Sequence, residues 1–126
     1  MRNHCQGLIL AAFLWLPGCM DPPGTGACTE IGCDSGLVLE FTNAPQGPWT
    51  AAVVSNIGNR TFDCAAGATC STAFFGHFVP NAVTVTMTVG QQSSQSQGTP
   101  TPRTVRPNGA ACEPSCSQPV FKVTAP

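Results

Sequence analysis

The most constraining feature of this sequence is the strict alternation of apolar and polar residues between Ala82 and Val89. Valine or methionine occupies every second position, and threonine occupies the positions between them. A period of two places the apolar side chains on one face of a β-strand, whereas a helix would scatter them around its axis. β-branched residues are also favoured in strands. The segment therefore predicts a central β-strand with one buried face.

Six further segments show strand patterns, and clusters of glycine, proline and asparagine separate them. No segment after residue 18 has the period of an amphipathic helix. Seven short strands in about 90 residues predict an all-β fold with the architecture of a small Ig-like β-sandwich, although the Cys-Trp-Cys pattern of immunoglobulin domains is missing. The further strands are expected at Leu37–Thr42, Trp49–Ser55, Arg60–Cys64, Thr72–Val79, Gln92–Thr99 and Val120–Thr124.

The expected core consists of the alternating valines and a set of aromatic residues. A core of this size gives a marginally stable domain, so covalent cross-links are expected to contribute to its stability. The aromatic residues assigned to the core are Phe41, Trp49, Phe62, Phe74, Phe75 and Phe78.

The first 18 residues are organised like a signal peptide. Arg2 precedes an apolar run, Gly7–Leu16, which is much shorter than the roughly 20 residues of a membrane-spanning helix. The residues that end this run, Leu16-Pro17-Gly18-Cys19, resemble the lipobox of bacterial lipoproteins. In that family the cysteine is acylated, with palmitate among the attached chains, and becomes the first residue of the mature protein. An ordinary secretory signal with a chance cysteine is the alternative.

The lipobox resemblance implies a division of the chain into three parts. Residues 1–18 are the signal peptide, residues 19–27 are a flexible tether that begins with the lipidated Cys19, and residues 28–126 are the β-sandwich domain. Several acyl chains on one residue would make the anchoring effectively permanent. Met20 follows the cysteine, whereas the inner-membrane retention signal of enteric bacteria has Asp at that position. The outer membrane or the cell surface is therefore the favoured location.

Six cysteines remain in the domain: Cys28, Cys33, Cys64, Cys70, Cys112 and Cys116. An even number of cysteines in a small exported domain is typical of a disulfide framework. Structural zinc sites use short cysteine hooks together with partner hooks or histidines. The domain has a single histidine, His77, and no C-x2-C pair. We therefore expect disulfides and no metal or other cofactor.

We expect the six cysteines to pair locally, as Cys28–Cys33, Cys64–Cys70 and Cys112–Cys116. Long stretches of chain separate these pairs from one another. Each pair lies at a predicted strand end or loop, where the chain can turn back on itself. Sequence alone leaves other connectivities open.

No catalytic group is predicted. Asp34-Ser35-Gly36 matches a short motif of chymotrypsin-like proteases, but that fold needs a histidine and an aspartate earlier in the chain. His77 lies alone on a predicted strand, where a histidine is usually structural. Five basic residues against six acidic ones give no basic patch for nucleic acid.

The two ends of the domain resemble small predicted lipoproteins of myxobacteria, a largely uncharacterised group. The resemblance rests on the lipobox and on two segments, Cys28–Leu37 (CTEIGCDSGL) and Pro107–Cys116 (PNGAACEPSC). It implies an envelope location, disulfide bonds and a β-rich domain, and it implies no activity.

These observations favour a lipid-anchored envelope protein that is not an enzyme and serves as a structural or binding module. Its partner would be an envelope protein or a polysaccharide. The alternative is a redox or metal-handling protein that uses the close cysteine pairs. Acidic neighbours argue against that alternative, because Asp63 and Glu113 would disfavour the thiolate form that such chemistry needs.

Overall fold

Residues 27–126, the part of the chain that the computed structural model describes, form nine β-strands and no helix. The all-β prediction is confirmed. The predicted signal peptide, Cys19 and most of the tether lie outside the described residues. Within residues 27–126 there is no helix that could cross a membrane. The strands are β1 Gly36–Thr42, β2 Trp49–Ser55, β3 Gly58–Cys64, β4 Thr72–Gly76, β5 Val83–Val89, β6 Gln92–Gly98, β7 Thr104–Val105, β8 Cys116–Ser117 and β9 Val120–Thr124.

The strands form two main sheets that enclose the core, and a short ribbon. The larger sheet has the order β3-β2-β5-β6 and is antiparallel throughout. The smaller sheet has the order β4-β1-β9, in which β1 pairs antiparallel with β4 and parallel with β9. The ribbon, β7 with β8, is the addition that the sequence did not predict. The other seven strands correspond to the seven expected.

The alternation in β5 determines which face of the larger sheet is buried. Val83, Val85 and Met87 are buried, and the threonines between them lie on the outer face. In the register with β2, Val85 lies opposite Val53 and Met87 opposite Ala51. The smaller sheet covers these residues with Leu37, Leu39 and Val123, all of them fully buried.

An aromatic cluster closes one end of the core. The rings of Phe41 and Trp49 meet edge to face with their centroids 4.7 Å apart, and Phe62 lies 5.8 and 5.7 Å from them. The indole of Trp49 donates a hydrogen bond to the carbonyl oxygen of Pro45 at 2.9 Å, so its polar atom is satisfied despite the burial of the side chain.

Two details of β4 differ from the prediction. Phe74 is 47% exposed, because adjacent residues of a strand point to opposite faces and Phe75 takes the inner position opposite Leu37. The strand also ends at Gly76, before the expected Val79, because His77 has a positive φ of 57°. Phe78 beyond it is buried, with the guanidinium of Arg60 4.5 Å from the centre of its ring.

The polar segment after residue 91 forms a strand, as predicted, and it connects the two sheets. Ser94 in β6 donates a hydrogen bond from its hydroxyl to the carbonyl oxygen of Thr124 in β9 at 2.7 Å. Further along, Thr101 and Val120 exchange two backbone hydrogen bonds of 2.8 and 2.9 Å. One side of the sandwich is thereby closed.

The strand registers define two ends of the sandwich. At one, β1, β3, β5 and β9 begin and β2, β4 and β6 end. We call this the near end, and it comprises residues 28–35, 56–57, 77–81 and 99–119. The opposite far end comprises residues 43–48, 65–71 and 90–91. The chain that leads back to Cys19 departs from the near end.

The burial pattern of β5 makes a direct prediction about two adjacent substitutions. Val85→Asp should destabilise the domain by about 4 kcal/mol or more, because it buries a charge without a partner. Thr86→Asp, on the outer face, should cost at most about 1 kcal/mol. Urea unfolding of both variants measures the difference. Equal losses would contradict the assignment of the faces.

Candidate functional site

All six cysteines of the domain form disulfide bonds, but only one predicted pair is confirmed. Cys64 pairs with Cys70, as expected. The predicted pairs Cys28–Cys33 and Cys112–Cys116 are wrong, because the bridges are Cys28–Cys112 and Cys33–Cys116. Their Cα atoms lie 5.7 and 6.1 Å apart, which is within the usual range. The candidate lipidation site, Cys19, lies outside the described residues.

The parallel pairing of β1 with β9 is the physical reason for the long-range bridges. Two parallel strands have their preceding residues side by side at the same end of the sheet. Cys33 lies just before β1 and Cys116 just before β9, so the pairing brings them together. Cys28 and Cys112 lie further back along the same two segments and form the second bridge. The two bridges attach residues 28–33 to residues 112–116.

Asn108 is a residue of this site that the sequence reasoning missed. Its side-chain oxygen accepts hydrogen bonds from the hydroxyl of Thr29 at 2.6 Å and from the backbone N–H of Ile31 at 3.0 Å. Its side-chain nitrogen donates to the carbonyl oxygens of Ile31 and Glu113, both at 2.8 Å. The amide thus mimics a strand partner for the segment that precedes β1. An Asn-Gly pair in a turn was the available signal, but it does not reveal a partner 77 residues away.

Further polar contacts continue the attachment toward the sheet. The hydroxyl of Ser35 accepts a hydrogen bond from the backbone N–H of Ser117 at 3.0 Å, and the side chain of Gln118 donates to the carbonyl oxygen of Asp34 at 2.9 Å. The backbone N–H of His77 donates to the carbonyl oxygen of Ser35 at 2.8 Å. Asp34 and Ser35 of the Asp34-Ser35-Gly36 motif therefore have structural roles at the start of β1.

His77 is exposed, and it is the backbone of this residue, not its imidazole, that contacts Ser35. Among the described residues no hydrogen bond joins the imidazole to a hydroxyl or a carboxylate. The same residues contain no group of three histidine, cysteine, aspartate or glutamate side chains close enough to hold a metal ion. The contacts at this end join the segment before β1 to the segment before β9.

The remaining bridge, Cys64–Cys70, has its role at the far end. It closes a short loop that follows β3, and the backbone of this loop bonds to the connection between β1 and β2. The N–H of Gly47 donates a hydrogen bond to the carbonyl oxygen of Ala68 at 3.0 Å. The carbonyl oxygen of Gly47 accepts one from the N–H of Gly67 at 3.1 Å. A side chain at position 47 would collide with the carbonyl group of Ala65, so the close approach requires glycine.

Comparisons with known protein families, with curated proteins and with solved structures found no match for this chain.

The paired bridges predict a non-additive loss of stability. Either bridge alone still closes a loop of more than 80 residues. The second bridge then closes only the small ring formed by residues 28–33 and 112–116. In the chain-entropy description, replacing one bridge by alanines should cost roughly 2.7 kcal/mol, and replacing both should cost roughly 7 kcal/mol. Urea unfolding of the two double variants and the quadruple variant measures this coupling.

The matched control for this cycle is Cys64→Ala/Cys70→Ala, which opens a separate loop. Its effect should add to that of either long-range bridge without coupling. A quadruple variant that loses only the sum of its two parts would contradict the shared closure of one loop.

Two substitutions of Asn108 should separate the role of its side-chain oxygen from that of its side-chain nitrogen. Asn108→Ala removes all four hydrogen bonds, and exchange of the Ile31 amide hydrogen should accelerate by about tenfold or more. Asn108→Asp keeps an acceptor for that amide but places an oxygen against the carbonyl oxygens of Ile31 and Glu113, so exchange should accelerate less than in the alanine variant. The His77 amide, bonded to Ser35, is the internal control in both variants. Equal acceleration in the alanine and aspartate variants would contradict the role of the side-chain oxygen.

Proposed function

We propose that this protein is a lipid-anchored module of a bacterial cell envelope, attached through an acylated Cys19, with a structural or binding role and no catalytic one. The observation that carries the proposal is the attachment of residues 28–35 by two disulfides and a fully bonded asparagine. Disulfides of this kind persist in an oxidising compartment, which the envelope location supplies.

The placement of the bridges suits a domain that is held by its N-terminus. A pull on the tether would otherwise peel β1 from the small sheet by breaking its hydrogen bonds in sequence. Because Cys28 is bonded to Cys112, the force passes through a covalent bond into the segment that leads to β9. Cys33–Cys116 provides a second covalent path before the first residue of β1 is reached.

The described surface favours a binding role over chemistry. The outer face of the larger sheet carries rows of threonine, serine and glutamine from β5 and β6, such as Thr88 beside Ser93 and Thr86 beside Gln95. The part of this face formed by β5 and β6 is uncharged and offers hydrogen-bonding groups, and the partner class that fits it is an envelope protein or a polysaccharide.

A redox or metal-handling role remains the alternative proposal, and thiol chemistry distinguishes the two. The anchored-module proposal expects three bridges, no titratable thiol in the folded domain and no bound metal. A redox protein would instead cycle one bridge under mild reductant. Cys64 and Cys116 are buried, which hinders the attack of an exchange partner on those two sulfurs.

The direct test is the substitution of the lipidated residue in the full chain, expressed in a bacterial host. Cys19→Ala should abolish acylation, and the protein should accumulate unprocessed or leave the membrane fraction. Cys5→Ala, within the predicted signal peptide, is the matched control and should change neither processing nor location. Mass spectrometry of the N-terminal peptide and detergent phase partitioning measure both. A Cys19→Ala protein that is processed normally and stays in the membrane fraction would contradict the proposal.

A further inference from the structure

The exposed hydrophobic side chains of the domain are concentrated at the near end. Within residues 27–126, five large hydrophobic residues are at least 40% exposed. None of them belongs to the far end, whose loops expose small and polar residues. The five are Ile31 and Ile57 and Val79 in near-end loops, Val54 one residue before the end of β2, and Phe74, whose ring lies over Gly36 at the start of β1.

The three loop residues lie on connections that contact one another. The segment 77–81 crosses the near end from one sheet to the other. The crossing begins at the backbone hydrogen bond between His77 and Ser35. It ends at Asn81, whose N–H donates a hydrogen bond to the side-chain oxygen of Asn56 at 3.2 Å. Val79 is midway along this crossing, and Ile57 follows Asn56 in the turn. Ile31 belongs to the segment on the other side, which Asn108 and the disulfides hold in place.

The near end has no excess of positive charge. Its segments carry two basic and three acidic residues, and the guanidinium of Arg60 from β3 also lies there, against the ring of Phe78. The guanidinium of Arg106 lies 4.0 Å from the carboxylate of Glu113. The basic residues are Arg103 and Arg106, and the acidic ones are Glu30, Asp34 and Glu113. A surface that would bind anionic headgroups by charge needs an excess of basic residues. The near end therefore offers apolar contact without electrostatic attraction.

The length of chain between Cys19 and the domain indicates that the membrane is what binds to this surface. From Cys19 to Ala27 the chain reaches about 26–29 Å when fully extended. A seven-residue strand is about 24 Å long, so turning the far end toward the membrane would use nearly the whole extended length of this tether. Because the tether enters at Cys28, the near end is the part of the domain that is held closest to the membrane surface.

We infer that the near end docks on the lipid bilayer, with Ile31, Ile57 and Val79 inserted at the level of the headgroups. The inference rests on the anchored-module proposal, because the tether supplies the high local concentration of lipid. The apolar loops then hold the domain upright on the membrane with the far end outward. Docking of this kind depends on apolar burial and is insensitive to the anionic lipid content.

The test uses tryptophan as a depth probe in the full chain. Cleavage of the signal leaves Trp49, which is buried, as the native tryptophan. Ile57→Trp places a second one in the near end, and Gln91→Trp places one in the far-end turn as the matched control. The acylated proteins are incorporated into vesicles of phosphatidylethanolamine and phosphatidylglycerol with brominated acyl chains, and the signal of the unsubstituted protein is subtracted.

Quenching in the Ile57→Trp protein should be at least twice that in the Gln91→Trp protein, and it should persist when phosphatidylcholine replaces phosphatidylglycerol. Equal quenching in the two proteins overturns the inference. A blue shift of the Ile57→Trp emission without quenching also overturns it, because the near end would then contact protein. Replacement of Ile31 and Val79 by serine in the Ile57→Trp protein should reduce the quenching, since it removes neighbouring insertion contacts at exposed positions.

Failure of the anchor is distinguished by flotation of the same vesicles. A chain that does not float with them refutes the anchored-module proposal. In that case residues 19–126, which include the complete described core, are coupled through the Cys19 thiol to a maleimide lipid, and the quenching comparison decides the docking inference separately.

Discussion

The parallel pairing of β1 with β9 is the interaction on which the rest of this structure depends. It places the first and last strands of the domain side by side in the small sheet, although their paired residues lie more than 80 positions apart in the chain. Everything distinctive about the near end follows from it: the two long-range disulfides, the four hydrogen bonds of Asn108 and the contact between Ser35 and Ser117. Because this pairing joins distant parts of the chain, it gains little from local propensity and is stabilised by covalent bonds.

Period-two patterning predicted the strands well, because every second side chain of a half-buried strand faces the core. The buried faces of β5 and β1 follow from that single rule. The rule works less well at Phe74 and Phe75, where two adjacent aromatic residues compete for one inner position. The backbone reversal at His77 has no signature in the hydrophobic pattern.

The cysteine connectivity could not be predicted from the sequence, because a cysteine can pair either with a neighbour in sequence or with a distant cysteine that the fold brings close. Cys64 and Cys70 flank a loop with glycine at its tip, so the local choice was correct there. Cys28 and Cys33 precede a strand whose partner, β9, begins only at Val120, and no pattern within either segment reveals that partnership. Asn108 was missed for the same reason, because its importance depends entirely on which segment lies opposite it.

The crossed placement of Cys28 and Cys33 against Cys112 and Cys116 also changes what a proteolytic cut does. Any single break of the backbone between Asp34 and Ala111 leaves two fragments that remain covalently joined at the near end. If the anchor is at Cys19, both fragments stay with the membrane, and a nicked domain keeps its strands in place to reassociate. Under that proposal, shedding of the intact sandwich requires a cut between Cys19 and Cys28, and a protease that cuts only within the loops of the domain does not release it.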